Sequence, residues 1–280
     1  MITEQDIVGR GAVEGAKLMR DWFARLDAAA ERKETAAYVF VMGSLAEVLR
    51  AFDMHLVFPE INALQTAVRH VAHEYLGLAE DYGYSPDVCG YVKADVAMQL
   101  QGGKHSMGRL PKPALAIATN ACNTYVKWAE FWERYYKIPM VTLDIPGSRS
   151  AAGGAAPGTG VFESDRRYLE IQLRELITEC ERLTGKTLDM DRLREVLGWT
   201  NRMASAWQRV LELNRTRPAL FNALVDGTVY LGVLNALRGT REGAEYFERL
   251  VEEMEYKAAH RVGTIQDEKY RLLFVGVPCY

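Results

Sequence analysis

Two of the four cysteines stand where a sulfur can become a metal ligand. Cys89 directly precedes a predicted helix that ends near Leu100. Cys122 follows a predicted strand that ends at Thr119, and a helix predicted to end at Tyr136 comes after it. Free amide N–H groups at the start of a helix, together with the helix dipole, favour a negatively charged sulfur. The two thiolates can converge on one cluster, but their spacing fits no compact metal signature, so two buried structural thiols stay the alternative.

Cys180 and the histidines have plainer interpretations. Cys180 lies within a helical apolar pattern, so we expect a packed, buried thiol. His70, His73 and Glu74 fall on one predicted helix, but a zinc protease needs histidines at i and i+4 with glutamate beside the first. These three residues are therefore predicted to lie on a solvated helix face.

Two glycine clusters are candidates for phosphate binding. Gly9-Arg-Gly11 and residues 153–160 lack the strand before and the helix after that a dinucleotide fingerprint needs. The second cluster also lacks the Gly-Lys-Ser/Thr ending of a phosphate loop. Both are predicted to be loops, and the sequence does not indicate intrinsic ATP binding.

Short apolar strands alternate with helical patterns over the first half of the chain. Asn62 can cap a long predicted helix over residues 63–81, and Ser164 can cap another that runs to Gly185. Buried strands are predicted at residues 37–42, 55–58, 113–119 and 138–144. Such alternation is typical of a parallel sheet with crossover helices.

The pattern predicts an α/β fold class in four parts. Residues 1–145 form an open, mainly parallel sheet domain, and residues 146–163 form a Gly/Ala-rich linker. An all-helical region covers residues 164–263. Residues 264–280 then give the first strand of a second α/β domain, which we expect to be truncated because a lone strand leaves an unpaired edge.

Composition excludes several classes of protein. The 280 residues include 34 Lys+Arg against 37 Asp+Glu and are 49% hydrophobic. This balance favours neither nucleic acid, nor an anionic membrane, nor disorder. No apolar run approaches the roughly 18 residues of a membrane span, and the first residues lack the pattern of a secretory signal. We therefore expect a cytoplasmic protein with reduced cysteines and no nucleic-acid or membrane partner.

The chain resembles the iron–sulfur subunits of the benzoyl-CoA reductase and 2-hydroxyacyl-CoA dehydratase family. The similar segments are residues 42–52, 59–62, 87–91, 120–124 and 270–278. The segment Pro-Glu-Ile-Asn-Ala-Leu-Gln, which begins at Pro59, is most similar to the B-type subunits of ATP-dependent benzoyl-CoA reductases. The last segment resembles the start of the family's second α/β domain.

The resemblance implies a [4Fe–4S] cluster held by three cysteines of one subunit. Cys89 and Cys122 match the first two ligands, and the third is expected beyond residue 280. Cys279 is an alternative third ligand, although relatives usually have an apolar or aromatic residue there. The implied partners are a homologous iron–sulfur subunit, ATP-hydrolysing activator-type subunits, ferredoxin as electron donor and an aromatic acyl-CoA.

Further site residues are predicted from their positions beside the cysteine loops. The candidates that follow strand ends and can orient the thioester or the CoA are Ser44, Glu60 and Asn62. A turn role for Ser44 and a capping role for Asn62 are the alternatives. The candidates that flank the cysteines and can donate hydrogen bonds to the cluster are Tyr91, Asn120 and Asn123.

Three functions stay open at this point. The first is a subunit of an ATP-dependent benzoyl-CoA reductase, an oxidoreductase that removes aromaticity by low-potential one-electron steps, with this stretch of chain inactive alone. The second is a 2-hydroxyacyl-CoA dehydratase subunit that uses a ketyl-radical elimination. The third is a non-catalytic scaffold subunit. The sequence favours the first.

Overall fold

The chain forms two compact units in a computed structural model that describes residues 7–146, 158–265 and 267–272. One unit comprises residues 26–190 and contains the sheet. The other joins residues up to Arg25 with those from Asp191 onward and is helical. The division falls inside the first long helix, α1 (Arg10–Arg32).

A parallel four-stranded sheet organises the first unit. Its strands are β1 (Ala36–Tyr38), β2 (His55–Val57), β5 (Pro113–Thr119) and β6 (Met140–Leu143), in the spatial order β2-β1-β5-β6. A separate antiparallel hairpin pairs β3 (Lys104–His105) with β4 (Gly108–Arg109). The predicted α/β class is confirmed, and each predicted strand of residues 37–144 has its counterpart in the sheet.

Helices connect and cover these strands. They are α2 (Ala46–Ala51), α3 (Pro59–Val68), α4 (Ala72–Tyr82), α5 (Gly90–Leu100), α6 (Asn123–Tyr136) and α7 (Gly160–Thr184). The inner strand β1 is fully buried from Ala36 to Tyr38. Strands that are covered on both faces have continuous apolar runs, which is why the sequence pattern located them.

Helix α6 packs on the sheet through an apolar stripe at helical spacing. Tyr125, Trp128 and Trp132 are buried, and Phe40 stacks on Tyr125 with ring centroids 3.8 Å apart. The aromatic residues of this stripe therefore belong to the core. Tyr135 points away from it and is 44% exposed.

The prediction of a single helix over residues 63–81 is wrong. Two helices, α3 and α4, occupy this stretch, and His70 between them adopts a left-handed backbone with φ 58°. Pro59 sets the start of α3, because its fixed φ suits the first helical turn. Asn62 therefore lies inside α3 and is not the helix cap that the sequence suggested.

The start of α7 also differs from its prediction. Thr159 caps the helix, and its Oγ1 accepts a hydrogen bond of 3.2 Å from the Phe162 amide. Ser164 lies inside the helix and is not its cap. Most of the predicted linker, residues 147–157, lies outside the described residues.

The helical unit contains the start of α1 with α8 (Met190–Leu213), α9 (Asp226–Ala236) and α10 (Arg241–Ala259). In its core, Phe247 is fully buried and packs edge-to-face with the half-buried Trp207, with ring centroids 5.6 Å apart. Residues 269–272, the described part of the predicted last strand, are not paired in a sheet, and Leu272 is 90% exposed. Residues 273–280, including Cys279, lie outside the described residues. Among the described helices, none combines the length and the apolar character of a membrane span.

Candidate functional site

The polar candidates follow the carboxyl ends of the sheet strands. Because these strands are parallel, their carboxyl ends share one edge of the sheet. Ser44 comes after β1, Glu60 comes after β2, and Asn120 and Cys122 come after β5. This is the edge where open α/β sheets bind ligands.

Both cysteines occupy the residue that precedes a helix. Cys89 caps α5 and is exposed, and Cys122 caps α6 and is half-buried. Each backbone carbonyl already accepts a bond from the first turn: Lys93 N to Cys89 O is 3.2 Å, and Tyr125 N to Cys122 O is 3.0 Å. The predicted positions at the starts of two helices are confirmed.

The two cysteine-capped helices run in the same direction. The Trp128 and Trp132 indoles donate to Asp95 Oδ2, at 2.8 and 2.7 Å. One turn further along both helices, Tyr136 OH donates to Gln99 Oε1 at 2.8 Å. Residue numbers rise together along these contacts, so α5 and α6 are parallel.

This arrangement brings the two cysteines to the same end of the helix pair. Cys89 lies six residues before Asp95, and Cys122 lies six residues before Trp128. At 1.5 Å per residue, each cysteine is therefore about 9 Å along its axis from the shared contact. Both helix N-termini, with their positive dipole ends, therefore lie at the same end of the helix pair, where an anionic ligand is favoured.

A buried lysine fixes the loop in front of Cys89. Lys93 Nζ donates to Glu80 Oε1 at 2.6 Å and to Pro86 O at 2.9 Å, and its side chain is only 5% exposed. A buried ammonium is tolerated when it is paired and hydrogen-bonded. Lys93 therefore ties α4, the loop and α5 together at the cysteine end.

Glu60 is a buried carboxyl at the same edge of the sheet. Its Oε1 accepts a hydrogen bond of 3.2 Å from Val41 N, and the Tyr125 hydroxyl also bonds to the carboxyl. Within the described part of the chain, Oε2 has no partner. Burial raises the pKa of Glu60 to about 7. At neutral pH the carboxyl is therefore protonated in a substantial fraction of the molecules.

Asn62 lies two residues further along α3 and is completely buried. Its backbone carbonyl bonds to His105 Nε2 at 3.1 Å, but neither side-chain atom has a partner among the described residues. The Met107 amide donates to His105 Nδ1 at 3.1 Å, so Nε2 holds the proton. Burial lowers the pKa of His105 to about 4, which keeps the ring neutral.

Gly43 lies in the turn that follows β1, and Ser44 comes directly after this turn. Ser44 is buried, with 6% of its surface exposed. Gly43 has φ 76°, and a Cβ there would lie 2.7 Å from Thr119 Cγ2. Glycine therefore permits the close approach of this turn to the end of β5.

The three candidates that flank the cysteines differ in their contacts and in their exposure. Asn120 Nδ2 donates to Asp144 Oδ1 at 2.5 Å and to Ile145 O at 2.9 Å. Its side chain is thus engaged with the loop after β6. Asn123 is exposed in the first turn of α6, and Tyr91 is half-buried in the first turn of α5.

Sequence reasoning overlooked Tyr125, Lys93 and Asp95. Tyr125 comes three residues after Cys122 and contacts Glu60. Asp95 interrupts the apolar run Ala94-Asp-Val-Ala97, and a lone acid in such a run was the available signal. Glu80, the partner of Lys93, is too far away in sequence to be paired by pattern.

The donor set fits part of a cluster site. Among the described residues, no group of three His, Cys, Asp or Glu side chains is arranged to hold a metal ion. Cys180 is fully buried in α7, and burial raises its pKa to about 12, as expected of a packing thiol. Cys89 and Cys122 remain as accessible thiols at one end of two parallel helices.

The glycine cluster at the start of α1 is occupied by a carboxylate. Glu253 is buried and accepts from Gly9 N at 2.7 Å and from Gly11 N at 2.6 Å. The amides that a phosphate would use are therefore already bonded within the helical unit.

A family model and several curated proteins match this chain. Residues 43–280 match the model of the 2-hydroxyglutaryl-CoA dehydratase D-component family. The chain is 34% identical to the B-type subunit of benzoyl-CoA reductase from Thauera aromatica, over 91% of this chain and 60% of the relative. It is 29% identical to the (R)-phenyllactyl-CoA dehydratase alpha subunit of Clostridium sporogenes, over 84% of this chain and 56% of the relative.

A third relative is the (R)-2-hydroxyglutaryl-CoA dehydratase alpha subunit of Acidaminococcus fermentans, which is 24% identical over 84% of this chain and 63% of the relative. The chain thus spans less than two thirds of the length of these curated relatives. The family match covers most of the sequence, including both cysteine loops and the sheet edge. The chain belongs to the family of benzoyl-CoA reductase and 2-hydroxyacyl-CoA dehydratase subunits.

Proposed function

We propose that this chain is part of a benzoyl-CoA reductase subunit and supplies two thiolates, Cys89 and Cys122, to a [4Fe–4S] cluster. The observation that supports this most directly is the placement of both cysteines at one end of the parallel helices α5 and α6. We place the third thiolate beyond residue 280, which agrees with the relatives being longer than this chain.

The residues around the cysteines suit an anionic, electron-rich group. The N-terminal amides of α5 and α6 would be available to donate to it, and the helix dipoles would stabilise its negative charge. When bound, the cluster would supply single electrons at a low potential tuned by burial and hydrogen bonding. Lys93 holds the Cys89 loop in place, and the Tyr125 amide orients the Cys122 carbonyl.

Glu60 would serve the acyl group. Its Oε2 is buried and without a partner among the described residues, and its raised pKa keeps a proton available near neutral pH. A protonated carboxyl in a dry site can donate to a thioester oxygen as negative charge develops there. We assign Ser44 and Asn62 to the orientation of the same substrate, because both are buried at this edge.

The names of the relatives, each called a subunit, support the proposal of partner subunits. We propose a homologous iron–sulfur subunit as the immediate partner. ATP hydrolysis would belong to separate activator-type subunits that receive electrons from ferredoxin. The engagement of the Gly9 and Gly11 amides by Glu253 supports placing ATP elsewhere.

A 2-hydroxyacyl-CoA dehydratase subunit is the second candidate, favoured by the family model and by relatives named as dehydratases. The test is to assay the full-length protein, assembled with its partner and activator, with benzoyl-CoA and with a 2-hydroxyacyl-CoA. Ring reduction of benzoyl-CoA, lost in Glu60→Gln but kept in Cys180→Ala, is expected. Turnover of the hydroxyacyl substrate alone would establish the second candidate, and turnover of neither by an iron-free complex would indicate a scaffold.

A further inference from the structure

We propose that Asp95 is a positioning residue, whose buried carboxylate locks the axial register of α5 and α6 so that Cys89 and Cys122 stand at the same end of the helix pair. The inference rests on the proposed function, since it concerns how the two cysteines are presented. Asp95 touches neither sulfur, and its effect would pass through the two helices.

The contacts of Asp95 join the two helices directly. The carboxylate is completely buried. Oδ2 accepts from both indole N–H groups of α6, Trp128 at 2.8 Å and Trp132 at 2.7 Å. Oδ1 accepts from Gln99 Nε2 at 2.7 Å, one turn further along α5. Each carboxylate oxygen therefore has a strong donor, which a buried charge requires.

Gln99 extends this lock by one turn. Its Oε1 accepts from Tyr136 OH at 2.8 Å, at the last residue of α6. Tyr38 of β1 contributes from the sheet side, with its hydroxyl 2.9 Å from Pro111 O and 3.4 Å from Gln99 Oε1. The lock therefore connects β1, α5 and α6.

Hydrogen bonds of defined distance and angle fix which residues of two helices stand opposite each other. A shift of one helical turn would move one cysteine by about 5.4 Å relative to the other. An aliphatic side chain at position 95 would accept no hydrogen bond and so would not fix this register, and the two indole N–H groups would lose their acceptor. The buried carboxylate thus fixes the position of one cysteine relative to the other along the helix axes.

The test measures the thiol–thiol relationship without the cluster. In full-length protein with Cys180→Ala and Cys279→Ser, a short bis-maleimide is added and mass spectrometry compares the Cys89–Cys122 bridge with two separate adducts. We expect bridging in this background and a several-fold lower bridged fraction in Asp95→Leu. The Asp95→Asn variant should keep most of the bridged fraction seen in the background protein, because one amide oxygen can still accept from both indoles.

Two further variants keep the test decisive. If Asp95→Leu does not fold, Trp132→Phe removes one N–H donor and keeps a ring, and the bridged fraction should again fall. Leu49→Val removes buried volume from α2 of the same unit and should leave bridging unchanged. Unchanged bridging in the folded Asp95→Leu and Trp132→Phe proteins would overturn the proposal, as would an equal loss in Leu49→Val. Bridging that depends on Asp95 in a protein that never binds iron would instead reject the cluster and keep the lock.

Discussion

At the scale of residues, the sheet edge combines two accessible thiols with a buried acid. Cys89 and Cys122 occupy the N-cap positions of α5 and α6. Glu60 takes its character from burial, which favours the protonated carboxyl even though Val41 N and Tyr125 bond to it. We propose above that the thiols serve a metal cluster and that the acid serves the substrate.

Glu60 should give stability a measurable dependence on pH. Its folded pKa of about 7 exceeds the ordinary value of 4.5, so the folded state binds more protons between these values. Stability should fall as pH rises from about 4.5 to 7 and then level off. Glu60→Gln should lack this component, which amounts to at most about 3 kcal/mol.

The measurement is urea unfolding of both proteins between pH 5 and pH 8. Burial also raises the pKa of Asp95, to about 6, so Asp95 contributes in the same direction. Because Asp95 is present in both proteins, the difference between the two curves isolates Glu60. Parallel curves would show that the Glu60 carboxyl is ionised at low pH in the folded chain.

The thiols should differ sharply in reactivity. Cys89 is exposed, Cys122 is half-buried, and Cys180 is fully buried with a pKa raised to about 12. Timed alkylation of the native chain, with peptide mass spectrometry, should modify Cys89 first, then Cys122, and Cys180 only on unfolding. Early modification of Cys180 would mean that α7 opens in the native state.

At the scale of elements, patterns along the sequence predicted most strands and helices, because periodicity reports which faces are buried. They failed where one residue changed a boundary. Pro59 starts α3 earlier than Asn62 suggested, and the left-handed backbone of His70 divides the long helix. Such boundaries depend on local geometry and tertiary contacts, which composition does not encode.

The turn after β1 offers a matched pair of glycine substitutions. Gly43→Ala should destabilise the chain by about 1–3 kcal/mol, because φ is 76° and the new Cβ would lie 2.7 Å from Thr119 Cγ2. Gly77→Ala lies in α4 with nothing within 4 Å of its Cβ, and should stabilise by up to about 1 kcal/mol. Thermal unfolding of both variants measures the contrast. Equal effects would show that Gly43 is not conformationally required.

At the scale of the whole molecule, the sequence located the cysteine loops but not the polar network behind them. Asp95 with Trp128 and Lys93 with Glu80 are pairings that only the folded chain reveals. Residues far apart in sequence satisfy each other's charge and hydrogen bonds there, and no local pattern records such pairs. The chain spans less than two thirds of the length of the curated relatives it matches.

The iron content of the full-length protein, purified anaerobically with its partner subunit, measures directly whether Cys89 and Cys122 hold a cluster. Cys89→Ser and Cys122→Ser should each lose iron and the visible absorption of an iron–sulfur cluster in this chain, while Cys180→Ser should keep both. The double variant Cys89→Ser/Cys122→Ser should show no more cluster than either single variant. Full iron and unchanged absorption in the double variant would contradict the assignment of these cysteines as cluster ligands.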